Sequence, residues 1–109
     1  MKLGILMVLL SGCTTSSGDL RKKIPKIEYI TNKSRSKASD CIASGWLEHR
    51  SNVNVVNFEE ATLITQGAES GAFAQAEVRS INEGAKVLYR AMSGASLMSF
   101  LEDTVNHCR

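Results

Sequence analysis

The residues best suited to do chemistry in this chain are its cysteines, histidines and adjacent carboxylates. His107 stands beside Cys108, and a base next to a thiol is the pairing that activates a cysteine nucleophile. Glu59 and Glu60 are neighbours in an extended stretch, so their side chains point to opposite faces and do not share a site. The sequence thus contains one candidate nucleophile and no paired carboxylates that favour acid–base catalysis.

The motifs of the common catalytic and cofactor sites are missing from the sequence. There is no Gly-x-Ser-x-Gly elbow, no His-Glu-x-x-His, no Walker loop and no Gly-x-Gly-x-x-Gly. The two histidines lie far apart, and neither Cys41 nor Cys108 belongs to a Cys-x-x-Cys motif. We therefore expect no enzymatic activity, no cofactor and no bound metal.

The first thirteen residues have the form of an export signal. Lys2 precedes an apolar run over residues 3–10, which is too short to span a bilayer as a stable helix. Its length is typical of the apolar part of a signal peptide. The run ends in Leu-Ser-Gly-Cys at residues 10–13, a leucine and two small residues before a cysteine. In this motif the chain resembles the bacterial lipoproteins, whose lipobox has that form.

The resemblance implies a lipid anchor. In that family the cysteine thiol is acylated, the leader is cleaved just before it, and the new amino terminus is usually acylated too. For this chain it implies loss of residues 1–12 and attachment to a membrane through lipid on Cys13. An aspartate after the cysteine tends to retain such proteins at the inner membrane of enteric-type bacteria. Thr14 stands there instead, which favours the periplasmic face of the outer membrane.

The lipoprotein resemblance leaves two cysteines, Cys41 and Cys108, for the mature domain. Disulfides persist in the compartments that exported proteins reach, so the resemblance implies that this pair is bridged. A reactive thiol pair or a metal site is the alternative. A bridge would remove the Cys108 thiol from His107, and it would stabilise a domain whose size limits its apolar core.

Charge is distributed unevenly along the chain. Residues 14–37 carry a net charge of +5, whereas residues 38–109 carry a net charge of −4. The lipoprotein resemblance implies a lipidated N-terminus at Cys13, and small polar residues and a proline after it predict a flexible basic tether, so residues 13–37 form one segment. Such a tether can lie against anionic head groups or polyanionic saccharide, or remain solvated. An exported chain rarely meets nucleic acid, so we do not expect that partner.

Residues 38–109 are predicted to form one small α+β domain. An apolar stripe at helical spacing predicts a first helix over residues 36–50, with Trp46 facing the core. A second amphipathic helix is predicted over residues 97–108. Between them, alternating apolar runs and turn residues predict about three antiparallel strands. The expected fold is a two-layer sandwich with both helices on one face of the sheet, joined by the disulfide.

The strand predicted over residues 72–81 has two different faces. Small residues on one face suit close packing against a helix, while the other face is mixed aromatic and polar and is expected to be water-facing. The candidate binding face consists of Phe73, Gln75, Glu77 and Arg79. A face of this kind can bind a small molecule or saccharide, and it is also common as ordinary surface.

Three functions agree with these features. The first is a non-catalytic envelope lipoprotein, anchored through Cys13 and acting by contact with a protein partner in the periplasm or outer membrane. The second is an inhibitory, receptor-blocking or immunity lipoprotein of phage or plasmid type. The third is a periplasmic binder of a small molecule or saccharide. The sequence favours the first function and identifies neither the partner nor the oligomeric state.

Overall fold

A computed structural model describes residues 21–48, 52–68, 71–91 and 99–109, of which residues 68 and 71–73 are described by their backbone alone. They form an α+β domain. In chain order its elements are β1 (Ile27–Thr31), α1 (Arg35–Glu48), β2 (Asn52–Asn57), β3 (Ala61–Ala68), β4 (Gly71–Ile81), β5 (Gly84–Ala91) and α2 (Ser99–His107). Neither of these two helices has the length and apolar character needed to cross a membrane. The predicted leader and Cys13 lie outside the described residues.

The predicted order of helix, about three strands and helix is wrong. The sheet has five antiparallel strands in the order β1–β5–β4–β3–β2, and β1 precedes the first helix. β1 lies inside the stretch predicted as tether, and it pairs with β5 from Ile27↔Tyr89 to Thr31↔Ala85. Five residues are too few for alternation to identify a strand, and the pairing partner of β1 comes far later in the chain.

The two helices pack on one face of the sheet. The small side chains of β4 leave room there for α1, whose Ala38, Ile42 and Trp46 repeat every four residues and are fully buried. The Trp46 ring meets the Tyr89 ring edge to face, with centroids 6.2 Å apart. Its indole N–H donates to the Leu101 carbonyl of α2 at 3.2 Å. Trp46 is thus the residue that joins β5 and both helices, as its predicted core position requires.

The edge strand β1 is held in place by α2 and by the β4–β5 turn. The Tyr29 hydroxyl donates to the Val105 carbonyl of α2 at 2.6 Å, so β1 is tied to the helix layer. At its end, the β4–β5 turn presents Gly84 with φ +133°, a conformation that favours glycine. A β-carbon at Gly84 would collide with the carbonyl oxygen of Thr31. The absence of a side chain at Gly84 therefore allows both the turn and the close approach of β1.

The predicted disulfide is confirmed. Cys41 in α1 and Cys108 directly after α2 are bridged, with Cα atoms 5.8 Å apart. One turn further along α1, a β-carbon at Gly45 would collide with the γ-methyl group of Thr104 in α2. The bridge and the missing side chain at Gly45 together hold the two helices side by side.

We expect replacement of both bridged cysteines (Cys41→Ala with Cys108→Ala) to lower the free energy of unfolding by about 4 kcal/mol, because the bridge closes a loop with a sequence separation of 67 residues. In a domain of this size that is a fall in Tm of roughly 15 °C or more. Thermal unfolding followed by circular dichroism measures it. Reducing agent should lower the Tm of the native chain and leave that of the double variant unchanged; equal Tm values for native chain and variant would contradict a stabilising bridge.

We expect Gly45→Ala to destabilise the domain by roughly 1–3 kcal/mol, because the added methyl group overpacks the helix contact. Thr104→Ala removes the atoms that it would strike. The double variant should therefore recover much of the loss in a urea-unfolding comparison of the two single variants and the double variant. Purely additive effects of the two substitutions would show that the two side chains do not compete for this space.

Candidate functional site: a basic groove around Glu77

The face of the sheet that points away from the helices carries one row of side chains across all five strands. The register places Val56, Leu63, Glu77, Leu88 and Glu28 side by side in this row. The carboxylate of Glu77 thus has a leucine on either side, and its side chain is only 4% exposed. A carboxylate in such a place is costly unless cations and hydrogen bonds compensate it.

Three arginines supply that compensation. Arg79, two residues further along β4, donates from Nε to Oε2 of Glu77 at 2.5 Å. Arg90 of β5 donates from Nη1 to Oε1 at 3.0 Å. Arg21, which belongs to no strand, places Nη2 at 3.4 Å from Oε2. Both carboxylate oxygens of Glu77 are therefore engaged by guanidinium groups.

The same contacts set the protonation state of Glu77. Burial would raise its pKa, but the hydrogen bonds from Arg79 and Arg90 and the charges of Arg79 and Arg21 outweigh it. The pKa of Glu77 therefore lies below its ordinary value of 4.5. At neutral pH this residue is a fixed negative charge that orients three cations, and it has no proton to donate.

Residues 21–26 lie across this face of the sheet, although the sequence predicted that they belong to a flexible tether. The Lys23 carbonyl accepts a hydrogen bond from Nε of Arg90 at 2.8 Å. The Arg21 guanidinium lies 5.9 Å from the centre of the Phe58 ring, beyond the end of β2. We call residues 21–26 the strap. It places part of the positive charge of residues 14–37 on this face of the sheet.

A pair of like charges lies next to Glu77. Arg79 of β4 and Lys86 of β5 are direct cross-strand partners on this face. Their outer neighbours in the same row are Ala61 and Ile30, which carry no charge. Lys86 forms an ion pair with Glu28 at 3.1 Å, and both side chains of that pair are partly exposed. Directly opposed like charges destabilise a sheet, and here each cation is also paired with a carboxylate, Arg79 with Glu77 and Lys86 with Glu28.

These residues line an open groove with a volume of about 670 Å³. Its cationic side chains are Arg21, Lys22, Arg79, Lys86 and Arg90. Glu77 and Leu88 complete the lining. Its volume lies in the range of sites for small organic ligands, and its charge is suited to an anion.

The structure shows where the predicted binding face lies. Gln75, Glu77 and Arg79 share the face of β4 that carries the groove, whereas the side chain of Phe73 lies outside the described residues. The expectation of a water-facing surface is wrong for Gln75, which is fully buried, and for Glu77, which is nearly so. Gln75 donates from Nε2 to the Thr65 hydroxyl at 3.1 Å and belongs to the β3–β4 packing, not to the groove.

Sequence reasoning missed the strap and the basic residues of β5. Lys86 and Arg90 alternate with core residues of β5 in the sequence, which indicates that they share a face. Only the β4–β5 register, with Arg79↔Lys86 and Gln75↔Arg90, shows that they flank Glu77. No local pattern predicts the arrival of Arg21 from the strap.

A second groove, of about 560 Å³, lies beside the disulfide between the two helices. It brings His107 near Glu48 and Asp103, while the sulfur of Cys108 is committed to Cys41. The nucleophile–base pair suggested by the neighbouring His107 and Cys108 is therefore not formed. Within the described ranges, no three His, Cys, Asp or Glu side chains converge as metal ligands.

No protein-family model, curated protein or solved structure matches this chain. The chemistry of the groove therefore has to be inferred from its own residues. What they offer is a cluster of guanidinium and ammonium groups around one buried carboxylate. Such an array can hold and orient an anion.

We expect Glu77→Gln to lower the free energy of unfolding by about 2–3 kcal/mol at neutral pH, because three arginines lose the charge that they share. For the native chain, the lowered pKa contributes stability that is present above pH 4.5 and is lost as the pH falls through the folded value. The variant should lack that loss. Urea unfolding over a series of pH values measures both effects.

Glu83→Gln is the matched control, since Glu83 is an exposed carboxylate in the β4–β5 turn. It should leave the stability near that of the native chain. Equal effects of the two substitutions at neutral pH would contradict a special role for Glu77, as would an unchanged acid dependence in Glu77→Gln.

Proposed function

We propose that this chain is a non-catalytic lipoprotein of the bacterial cell envelope, anchored through lipid on Cys13 and acting by contact with a protein partner. The observation that supports this proposal is the Cys41–Cys108 disulfide. Stable disulfides are typical of proteins that fold in oxidising compartments and are rare in the cytosol. The bridge also accounts for two of the three cysteines, and the third is the one in the lipobox.

The strap is consistent with such an anchor. Seven residues lie between Cys13 and Arg21, so even a fully extended connection of eight residue steps covers at most roughly 28 Å. The strap then lies on the groove face, where Arg90 holds the Lys23 carbonyl. A lipid on Cys13 would therefore keep the groove face close to the membrane surface. Because Thr14, and not an aspartate, follows Cys13, we propose that the membrane is the outer membrane and that the protein lies on its periplasmic face.

The thiol of Cys108 and the carboxylate of Glu77 are both engaged in other interactions. Cys108 is bridged, so His107 has no thiol beside it to activate. Glu77 is held as a carboxylate by three arginines. These two observations favour a role in contact and recognition. An inhibitory or immunity lipoprotein would share the same anchor and differ only in its partner.

We expect the native chain to fractionate with membranes and to be released by detergent, because acylation of Cys13 anchors it. Cys13→Ala should abolish both the membrane association and the mass of the acyl groups on the N-terminal peptide. Thr14→Asp should keep the acylation and move the protein from the outer to the inner membrane in a density gradient. Fractionation of the native chain and of Cys13→Ala alike as soluble protein would refute the proposed anchor.

A further inference from the structure

We propose that the groove around Glu77 binds a phosphate group, carried either by a small soluble phosphate ester or by a phospholipid head group. This inference goes beyond the anchored contact function, and it does not depend on the lipid at Cys13. It rests on three features of the groove: its excess charge, the opposed cations of β4 and β5, and the donors that remain for a ligand.

The groove holds more positive charge than the protein neutralises. Five cationic side chains line it, and Glu77 is the only carboxylate among its described lining residues. Glu28 adds a second negative charge at the side, through its ion pair with Lys86. Two carboxylates against five cations leave a surplus of three positive charges in one concave site. An electrostatic field of this kind concentrates anions.

The cross-strand pair of Arg79 and Lys86 places this excess at a defined position. Two cations directly opposite each other repel, and the sheet would be more stable with opposite charges there. Their neighbours in the same row, Ala61 and Ile30, carry no charge, and the carboxylates that pair with the two cations, Glu77 and Glu28, lie in the next row. An oxyanion between the two side chains would convert the repulsion into two charge-assisted hydrogen bonds.

Donors remain for such an oxyanion. Arg79 uses Nε for Glu77, and within the described part of the chain its two terminal nitrogens meet no acceptor. Within the same part of the chain Lys22 has no partner, so its ammonium group is also available. The guanidinium fork matches two oxygens of a phosphate, and Glu77 holds that fork in place before a ligand arrives. A phosphate monoester offers three unesterified oxygens to the three cations, and a phospholipid diester offers two, which match the guanidinium fork.

The groove also limits the rest of the ligand. The open groove, of about 670 Å³, has room for more than one phosphate ion, so a phosphate that carries an organic part fits it. Leu88 and the alkyl stems of the lysines and arginines offer apolar contact to that part. Glu77 would repel a second anionic group near the Arg90 end of the groove. These features indicate a phosphate ester with one charged group near Arg79 and Lys86.

The test is calorimetric titration of the full chain in a neutral detergent with two probes, glycerol 3-phosphate and micelles that contain phosphatidylglycerol. Glycerol and micelles of the neutral detergent alone are the controls without phosphate. We expect at least one phosphate probe to bind, more weakly at high salt. Lys86→Ala and Lys22→Ala should each weaken binding by roughly tenfold or more. Lys37→Ala, which removes an exposed lysine of α1 on the other side of the sheet, should leave the affinity unchanged.

Each outcome decides the proposal. Binding of glycerol 3-phosphate supports a soluble ester, and binding of phosphatidylglycerol micelles alone supports a lipid head group. Absence of binding to both probes overturns the inference, and so does an equal loss in Lys37→Ala and Lys86→Ala. Melting curves check that the variants fold. We expect them to fold, because Lys86 and Lys22 make little or no contribution to the core. Cys13→Ala should leave the glycerol 3-phosphate affinity unchanged, so failure of the anchor and failure of this site are distinguishable.

Discussion

The groove face of this domain depends on one buried carboxylate. Glu77 lies at the centre of β4, with a leucine on either side, and it can stay ionised there only because three guanidinium groups engage its two oxygens. Those cations come from β4, from β5 and from the strap, so a single charge gathers three separate parts of the chain. Removal of the carboxylate would leave the arginines facing one another across a largely apolar row. Glu77 thus sets the arrangement of three of the cations that line the groove.

The helix face is held by a different kind of constraint. There the core is apolar, Trp46 links β5 to both helices, and the Cys41–Cys108 bridge fixes the helices side by side. In a small domain such a bridge adds stability that a limited apolar core does not supply. The sheet can therefore tolerate the repulsion of Arg79 and Lys86 on one face, because the helices and the disulfide stabilise the other face. The helix layer and the disulfide stabilise the domain, while the charged layer remains free to serve binding.

Local patterns predicted what depends on local spacing. The stripes of α1 and α2 repeat at helical period, so the helices predicted over residues 36–50 and 97–108 lie close to their observed bounds. The cysteine pairing followed once the lipobox accounted for Cys13. The strand count and the exposure of Gln75 and Glu77 were predicted wrongly, because both depend on register and on coverage by distant residues. β1 and the strap reach the groove through their contacts with β5. These contacts join residues far apart in the sequence, so no local pattern predicts them. The lipid anchor remains a prediction.

The anchor and the groove, each proposed on separate grounds, converge on the strap. Arg21 makes the longest of the three contacts to Glu77, at 3.4 Å, and its side chain is 39% exposed. It is therefore the guanidinium that can most readily turn from the carboxylate to a ligand, since Arg79 and Arg90 are held by shorter bonds. A phosphate in the groove would then be contacted both by the rigid sheet and by the segment that leads towards Cys13. The strap is thus the segment that the proposed ligand site and the proposed lipid attachment have in common.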